Sequence, residues 1–587
     1  MQELQGIAVS PGIAIGEALV LDQPQGVNIP SRLVLREQVP QERKRLEKAM
    51  ELTALDLGAH RDSITQKLGR QYGAIFSAHL QMLQDPKLLE KIEKRIEQRY
   101  PAEYAVHRTL QEYIKAFHEL DNAYMAERAH DLRDLEKQLL ERLQGRQKHH
   151  ALKRLNGPRV IVAHNLTPSE TAHLDAEHVL GFVTEIGGAG GHTAIVAQGQ
   201  ELPAVVGVGN LLGRVGERDW VIVDGDQGRI ILQPDEEALE YYRRREQEHQ
   251  AEVQALALFK DQPAQTQDGQ PLKLLANIEF PEEVEACRQY GADGVGLYRT
   301  EFLYLGSDRE PTEQEQYQAY AQVVQAMDGQ PVVIRTLDIG ADKIAHWLDD
   351  PQHQKEPNPF LGLRSIRLSL QNTPMFSNQL RAILRASALG PIKIMFPLVI
   401  TLEELRQAKG LLREAMEQLQ QRGQTYDSEI AVGMMLETPS AAILLERFLP
   451  EVDFISIGTN DLVQYALAVD RSNERVNGLY KASDPAVLQL IRQILETSQA
   501  AGKPACLCGQ MSGDPMFAML LLGLGLRELS VPPGAIPEIK QVCRSVGLDQ
   551  CRATAERALS LDSAQEVEKY LRQELSVVRR QSPVGGQ

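Results

Sequence analysis

The sequence predicts a multidomain α/β protein whose carboxyl-terminal half is a (β/α)8 TIM barrel. Three observations support this prediction. The chain of 587 residues is too long for a single hydrophobic core. Apolar strand-like runs alternate with helical stretches from about residue 270 onward. Nearer the amino terminus, a segment with few glycines and helical periodicity separates two groups of strand-like runs.

The barrel prediction depends on eight strand-like runs that alternate with helical sequence. Such alternation is typical of parallel sheets, and eight units favour a closed barrel. An open, doubly wound sheet is the structural alternative. The runs are Leu274–Ile278, Gly294–Tyr298, Val332–Arg335, Ile392–Phe396, Val432–Leu436, Asp453–Ile457, Ala505–Cys508 and Arg527–Val531.

The remaining sequence predicts three further parts. Short β-like runs occupy residues 1–24 and return in 149–233, so we expect these two segments to form one α/β domain. Residues 25–148 are predicted to form a helical subdomain inserted between them. A charged helix over 234–260 is expected to connect this domain to the barrel in 261–575.

Composition and charge exclude several classes of protein. The formal net charge of −17 argues against nucleic-acid binding, although it is compatible with a basic protein partner. No apolar run approaches the roughly 20 residues that span a bilayer, and the chain start lacks the features of a secretory signal. Five cysteines suggest reduced thiols, so we expect a cytoplasmic protein without membrane insertion. Cys506 and Cys508 lack further ligands at zinc spacing.

Unusual polar residues follow the predicted barrel strands. The carboxyl ends of the strands of a barrel converge on one mouth, where active sites lie. The sequence therefore predicts a catalytic barrel rather than a structural one. The residues at or just beyond these strand ends are Arg299, Arg335, Glu437, Asn460, Asp461 and Cys508.

A histidine follows a glycine-rich turn in the segment Gly187–Ala197. His192 is predicted to lie in the first turn of an apolar helix, where free backbone N–H groups favour an anion. Thr193 could hydrogen-bond one ring nitrogen and leave the other as the nucleophile. The alternative is an ordinary glycine-rich turn beside a buried histidine.

Two carboxylates end neighbouring predicted strands. Glu437 and Asp461 could share one hard cation, and Mg²⁺ suits a site with two carboxylates, waters and phosphate oxygens. The alternative for Asp461 is a helix cap, because a helical run follows it.

Several arginines and one thiol complete the predicted mouth. Arginine binds phosphate and carboxylate alike, although a single arginine is more often a surface ion pair. Cys508 either donates a proton or packs as a small apolar side chain. The arginines are Arg299, Arg335, Arg364 and Arg471.

These segments together resemble Enzyme I, the phosphoenolpyruvate–protein phosphotransferase of the bacterial sugar phosphotransferase system. The resemblance runs from Gly6 to about residue 545. Its most specific stretches are Leu-Tyr-Arg-Thr-Glu-Phe-Leu, Arg-Thr-Leu-Asp-Ile-Gly, Asn-Pro-Phe-Leu-Gly-Leu-Arg and Ile-Gly-Thr-Asn-Asp-Leu.

The resemblance implies a swivelling phosphohistidine domain, a helical subdomain that binds the phosphocarrier HPr, and a dimerising barrel that binds phosphoenolpyruvate and Mg²⁺. It implies that His192 is phosphorylated on Nε2, that Cys508 protonates the enolate to give pyruvate, and that Glu437 and Asp461 bind Mg²⁺. The residues implied to contact or lie near the substrate are Arg299, Arg335, Asn460, Asp461, Arg471, Arg364 and Lys343.

The sequence departs from the family pattern near its chemistry. Family members usually have Gly-Gly-Arg-Thr-Ser-His, whereas this chain has Ala189, Gly190 and Gly191 before the histidine. Gln198 and Gln510 stand where the family usually has arginine and glutamate. The helical segment around His79 also carries fewer acids than usual.

Two rival functions differ from the phosphotransferase. Pyruvate phosphate dikinase and phosphoenolpyruvate synthase share the histidine domain and barrel, but they need a large ATP-binding domain for which this chain has no room. A regulatory homologue that senses phosphoenolpyruvate with weak turnover is the second alternative. The complete set of barrel residues favours the enzyme.

Overall fold

A computed structural model describes residues 1–21, 32–68, 70–119, 123–144, 157–166, 170, 178–188, 192–199, 202–305, 309–340, 358–471, 473 and 475–581. The chain divides into two compact units, Met1–Ala251 and Glu252–Gln587. Among the described residues, no helix is long and apolar enough to cross a membrane.

The first unit contains an eight-stranded sheet built from both ends of its sequence. The strand order is β1-β8-β7-β3-β4-β5-β6-β2. The neighbours β3–β4, β4–β5 and β5–β6 are parallel, and the other pairs are antiparallel. The strands are β1 Gln2–Gln5, β2 Ile7–Ser10, β3 Ile13–Val20, β4 Arg159–Ala163, β5 Val179–Thr184, β6 Ala204–Val206, β7 Trp220–Asp224 and β8 Arg229–Leu232.

A group of long helices lies between β3 and β4 in the chain. Leu88, Ile92 and Ile96 recur at helical spacing on α3 and are buried in the core of this group. Asp85 caps α3 by accepting hydrogen bonds from the backbone N–H groups of Lys87 (2.7 Å) and Leu88 (3.4 Å). The helices are α1 Val39–Leu68, α2 Arg70–Leu83, α3 Pro86–Glu97, α4 Ala102–Glu119 and α5 Ala123–Leu143.

Polar side chains also join these helices. Arg45 of α1 donates to Glu42 (2.8 Å), to Glu103 of α4 (2.5 Å) and to the carbonyl of Leu143 at the end of α5 (2.9 Å). The same guanidinium therefore fixes three helices relative to one another. The described residues of this unit form two more helices, α6 His192–Gly199 and α7 Glu236–Ala257, and the boundary between the two units falls within α7.

The second unit is a closed barrel of eight strands. All neighbouring strands are parallel, and each predicted run matches an observed strand to within one residue at either end. The predicted barrel is therefore confirmed, and the open sheet is not observed. The strands are β9 Lys273–Ile278, β10 Val295–Tyr298, β11 Val332–Arg335, β12 Ile392–Phe396, β13 Ala431–Leu436, β14 Phe454–Ile457, β15 Ala505–Leu507 and β16 Glu528–Val531.

Helices surround the barrel and bury its outer face. Apolar residues of strands and helices form one continuous core, and a smaller cluster that includes Met395, Met435 and Phe454 fills the barrel interior. The helices are α8 Val284–Gln289, α9 Phe302–Leu305, α10 Glu313–Ala326, α11 Ser365–Gln371, α12 Thr373–Ser387, α13 Leu402–Gln421, α14 Pro439–Ile443, α15 Leu445–Phe448, α16 Thr459–Leu467, α17 Pro485–Ala500, α18 Pro515–Gly523, α19 Ile536–Arg544, α20 Leu548–Leu559 and α21 Ala564–Gln581.

Candidate active site

The barrel mouth brings together the strand-end residues that the sequence singled out. Arg335 is the last residue of β11, and Arg299, Glu437 and Cys508 each follow directly after their strands. Asn460 and Asp461 lie in the first turn of α16, just beyond β14. Parallel strands in a closed barrel place all these positions at one end.

Two arginines of the mouth share an acid that sequence reasoning missed. Asp338 pairs with Nη1 of Arg335 (2.7 Å) and accepts from Nη2 of Arg364 (2.9 Å). Burial alone would raise the pKa of Asp338, but the two guanidiniums outweigh burial and lower that pKa. The Arg-Thr-Leu-Asp spacing was the available signal, since it places an acid three residues after Arg335.

Glu301 is the second acid that the sequence did not identify. It accepts from Nη2 of Arg335 (3.0 Å) and from the backbone N–H of Asp338 (3.0 Å). Burial and the charge of Asp338 raise the pKa of Glu301, and Arg335 opposes them without reversing the shift. These acids hold the Arg335 guanidinium in one orientation, while its Nε has no hydrogen-bond partner within the described residues.

Glu437 and Asp461 lie close enough to influence each other electrostatically. Glu437 is 2% exposed, and its Oε1 accepts from the backbone N–H of Leu398 (2.6 Å). Burial first, and then the charges of Asp461 and Asp338, raise the pKa of Glu437 well above its usual range. Two buried acids near one another are costly unless a cation reaches them.

Asp461 is not the cap of α16. The N-cap residue of that helix is Gly458, and no side chain makes a capping hydrogen bond there. One oxygen of Asp461, Oδ2, accepts from Arg364 (3.1 Å). The other, Oδ1, is buried without a hydrogen-bond partner among the described residues, and Nη2 of Arg471 lies 3.9 Å away. The capping alternative is therefore wrong, and Oδ1 remains available to a ligand.

The backbone of the mouth is strained where it contacts these acids. Leu398, which donates to Glu437, has φ +50°, and Ser365, whose hydroxyl bonds Asp338, has φ +55°. Both lie in the left-handed region that non-glycine residues rarely adopt. A side chain at Gly458 would place its Cβ 2.7 Å from Oε2 of Glu437, so glycine at this position leaves room for the Glu437 carboxylate.

The thiol of Cys508 lies inside the mouth and is 3% exposed. Its Sγ accepts a hydrogen bond from the Ser456 hydroxyl (3.2 Å) and donates to the carbonyl of Ile457 (3.6 Å). Burial raises the pKa of Cys508 although Ser456 and Arg335 oppose it, so the neutral thiol is favoured. Ser456 was not identified from the sequence. It is the one polar residue of the four-residue strand β14, and nothing local marks it as a partner of Cys508.

The other predicted substrate contacts line the rim. Oδ1 of Asn460 accepts from the backbone N–H of Gln510 (3.0 Å), and the backbone carbonyl of Asn460 accepts from the Tyr480 hydroxyl (2.9 Å). Arg471 has a side chain that is 38% exposed, and Arg299 is half-buried. Lys343 lies outside the described residues.

The predicted histidine segment is described only in part. Helix α6 begins at His192, as the sequence predicts, but the imidazole ring of His192 is outside the described side chains. The Thr193 hydroxyl donates to the carbonyl of Leu166 (3.2 Å), so it does not offer that hydrogen to the histidine ring as expected. Ala189, Gly190, Gly191 and the Gln198 side chain lie outside the described part.

Three family models match successive parts of the chain. They are the N-terminal part of the PEP-utilising enzymes over residues 5–128, their mobile domain over 155–228, and their PEP-binding domain over 253–548. The fold and the site thus define a PEP-utilising enzyme.

Similar proteins narrow this class further. The chain is 43% identical to a phosphoenolpyruvate-protein phosphotransferase of Geobacillus stearothermophilus over 98% of both chains. It is 42% identical to the phosphoenolpyruvate-protein phosphotransferase of Listeria innocua over 97% of this chain and 99% of that protein. It is 40% identical to the Bacillus subtilis protein of the same name over 98% of this chain and 100% of that protein. The chain belongs to the phosphoenolpyruvate-protein phosphotransferase family.

Proposed function

We propose that this protein transfers the phosphoryl group of phosphoenolpyruvate to its own His192 and then to a histidine phosphocarrier protein similar to HPr, releasing pyruvate. One observation carries the proposal. In the region that matches the PEP-binding domain, arginines, the acids Glu437 and Asp461, and a thiol whose pKa is raised by burial lie at one barrel mouth. Relatives over nearly the whole chain bear the corresponding enzyme name.

Substrate binding is assigned to Arg299, Arg335, Asn460, Asp461 and Arg471. Phosphoenolpyruvate carries a phosphate and a carboxylate, and both groups suit the planar fork of arginine. Glu301 and Asp338 support this role for Arg335, because they fix its guanidinium before any substrate arrives. Its Nε has no hydrogen-bond partner among the residues that the structure describes, so it supplies a further donor.

The metal is proposed to be Mg²⁺, held by Glu437 and Asp461. Within the described residues, no group of three or more His, Cys, Asp or Glu side chains is arranged to hold a metal ion. A pair of carboxylates still fits Mg²⁺, which keeps several waters and takes phosphate oxygens as ligands. Two observations support a cation here: Oδ1 of Asp461 accepts no hydrogen bond within the described part of the chain, and the pKa of Glu437 is raised. Bound Mg²⁺ would neutralise charge on the transferring phosphoryl group.

Cys508 is assigned as the acid that protonates C3 of the enolate. A proton donor must hold its proton until the enolate forms, and the raised pKa of Cys508 meets that requirement. The thiol lies beside the proposed substrate groups at the mouth, since Arg335, Glu437 and Arg299 all influence it electrostatically.

The remaining assignments follow from the family resemblance. We propose that residues 1–24 and 149–233 form the phosphohistidine domain, that 25–148 bind the carrier, that 234–260 link the domains, and that 261–575 bind substrate and form a homodimer. We further propose that the protein acts in the cytoplasm, in the first step of the phosphotransferase system.

The test is self-phosphorylation with radiolabelled phosphoenolpyruvate and Mg²⁺. The parent protein should gain acid-labile, base-stable label and release an equal amount of pyruvate. His192→Ala should lose both while keeping its melting temperature. The matched control His178→Ala removes an exposed histidine of the same unit and should label normally.

Stable label on His192→Ala would overturn the assignment of the nucleophile. Binding of phosphoenolpyruvate by the parent without label would instead favour the regulatory, sensing homologue.

A further inference from the structure

A second polar region lies inside the barrel, at the end opposite the mouth. It surrounds a cavity of about 30 Å³, which is large enough for a water molecule. We call it the floor cavity. Its polar or ionisable lining residues come from five strands and are Lys273, Lys393, Ser456, Cys506 and Glu528. Such a lining supplies the several polar partners that a buried water needs.

The floor cavity reaches solvent through two of its lining side chains. Nζ of Lys273 donates to Glu528 (2.7 Å), and the Lys273 side chain is 60% exposed while that of Glu528 is 20% exposed. Nζ of Lys393 lies 5.3 Å from the centre of the Phe454 ring, on another wall of the cavity. Protons can therefore be exchanged with bulk water at this end of the barrel.

The floor cavity is joined to the proposed acid by one side chain. Ser456 lines the cavity, and its hydroxyl donates to Sγ of Cys508 at 3.2 Å. The thiol directs its own hydrogen to the carbonyl of Ile457 (3.6 Å). A thiolate at position 508 would thus already accept a hydrogen bond from the hydroxyl of a residue that lines the cavity.

The groups at the mouth that act most strongly on Cys508 are poorly suited to return a proton to it. They are Arg335, Glu437 and Arg299. Both arginines keep their protons at any physiological pH, and Glu437 is assigned to the metal. Gln510, which follows Cys508 by two residues, carries an amide that cannot release a proton to a thiolate.

We propose that Ser456 and the floor cavity form a route by which solvent protons return to Cys508 after each turnover. This inference rests on the proposed function. When pyruvate forms, the S–H bond of Cys508 breaks and a C3–H bond forms. The thiolate then takes the hydroxyl proton of Ser456, which takes a proton from cavity water, and bulk solvent replaces that proton. No oxidant or co-reactant is needed.

Ser456 acts through Cys508 and is a positioning residue rather than a catalytic one. A purely structural role would also slow turnover if Ser456 were lost. The two roles differ in the fate of the proton, because only a relay sets how fast the thiol exchanges its hydrogen with solvent.

The fate of that proton can be measured with enzyme, Mg²⁺, phosphoenolpyruvate and two kinds of labelled pyruvate. Radiolabelled pyruvate reports carbon exchange into phosphoenolpyruvate, which needs C3 deprotonation but no contact with solvent. Methyl-deuterated pyruvate reports deuterium loss to solvent, which needs the Cys508 thiol to exchange. The readout is deuterium lost per carbon exchanged.

In the parent, nearly every exchange cycle should replace one deuterium by hydrogen. In Ser456→Ala the deuterium should stay on Cys508 and return to carbon, so the ratio should fall at least about tenfold. Ser456→Thr keeps the hydroxyl and should restore the ratio. Lys393→Met and Glu528→Gln, which alter the floor cavity alone, should lower the ratio less.

The matched control is Ser498→Ala, which removes a buried hydroxyl from α17 that bonds a backbone carbonyl at 2.8 Å; its ratio should equal the parent's. An unchanged ratio in Ser456→Ala overturns the proposal. A fall there with no change in either floor variant overturns the floor cavity as the proton source. Absence of carbon exchange in the parent would instead contradict the proposed function.

Discussion

Two glutamates of the barrel unit occupy opposite electrostatic environments. Glu313, at the start of α10 on the outside, accepts from Arg381 (2.7 Å), Arg385 (2.7 Å) and Arg422 (3.2 Å). Its side chain is 17% exposed. Burial alone would raise the pKa of Glu313, but the bonds from Arg381 and Arg385 outweigh burial and lower it.

Glu437, at the mouth, has one backbone donor, and acids are among its strongest electrostatic neighbours. Burial and the charges of Asp461 and Asp338 raise its pKa, although Arg335 and Arg364 act against them. The comparison teaches that buried charge has two uses. A carboxylate surrounded by cations stabilises the fold, whereas one held near other acids costs stability and is suited to bind a cation from solution.

The largest expected effect is on the Mg²⁺ concentration that self-phosphorylation requires. Glu437→Gln and Asp461→Asn should each raise the Mg²⁺ concentration needed for self-phosphorylation by about 100-fold, because each removes one proposed ligand charge. A titration of initial phosphorylation rate against Mg²⁺ measures this. Glu313→Gln is the control, and its Mg²⁺ dependence should match the parent's. If either mouth variant behaves like that control, the carboxylate it removes is not a ligand.

The next largest effect is on the free energy of unfolding, and it concerns Glu313. Glu313→Gln leaves three guanidiniums around a neutral amide and should lower the free energy of unfolding by about 2 kcal/mol. Urea denaturation measures the loss. Glu496→Gln is the matched control on helix α17, where the Glu496 side chain is 68% exposed and pairs with Arg492. Exposed pairs contribute less than about 1 kcal/mol. Equal losses in both variants would contradict the comparison.

The sequence predicted the architecture better than the connections within the site. Each barrel strand is an apolar run with a local signal, so its position follows from the pattern of residues. The strand-end rule then located Glu437 and Cys508 at the mouth. It could not predict that Arg364 would contact Asp461, 97 residues away in the chain. The bond from Ser456 to Cys508 likewise depends on a contact between two strands that no local pattern encodes.

The smallest effect is the pH dependence of the stability that Glu313 supplies. A lowered pKa in the folded state means that this contribution is fully present above the ordinary glutamate value of 4.5 and is lost as pH falls through the lowered pKa. Its ionic partners are arginines, which do not titrate in this range, so the loss belongs to Glu313 alone. The difference in unfolding free energy between the parent and Glu313→Gln should therefore be constant from pH 6 to 8 and shrink as the pH falls below 4.5 toward 3. Urea denaturation of both proteins at matched pH values measures that difference. A difference that stays constant down to pH 3 would mean that Glu313 stabilises the helices through hydrogen bonds and packing rather than through its charge.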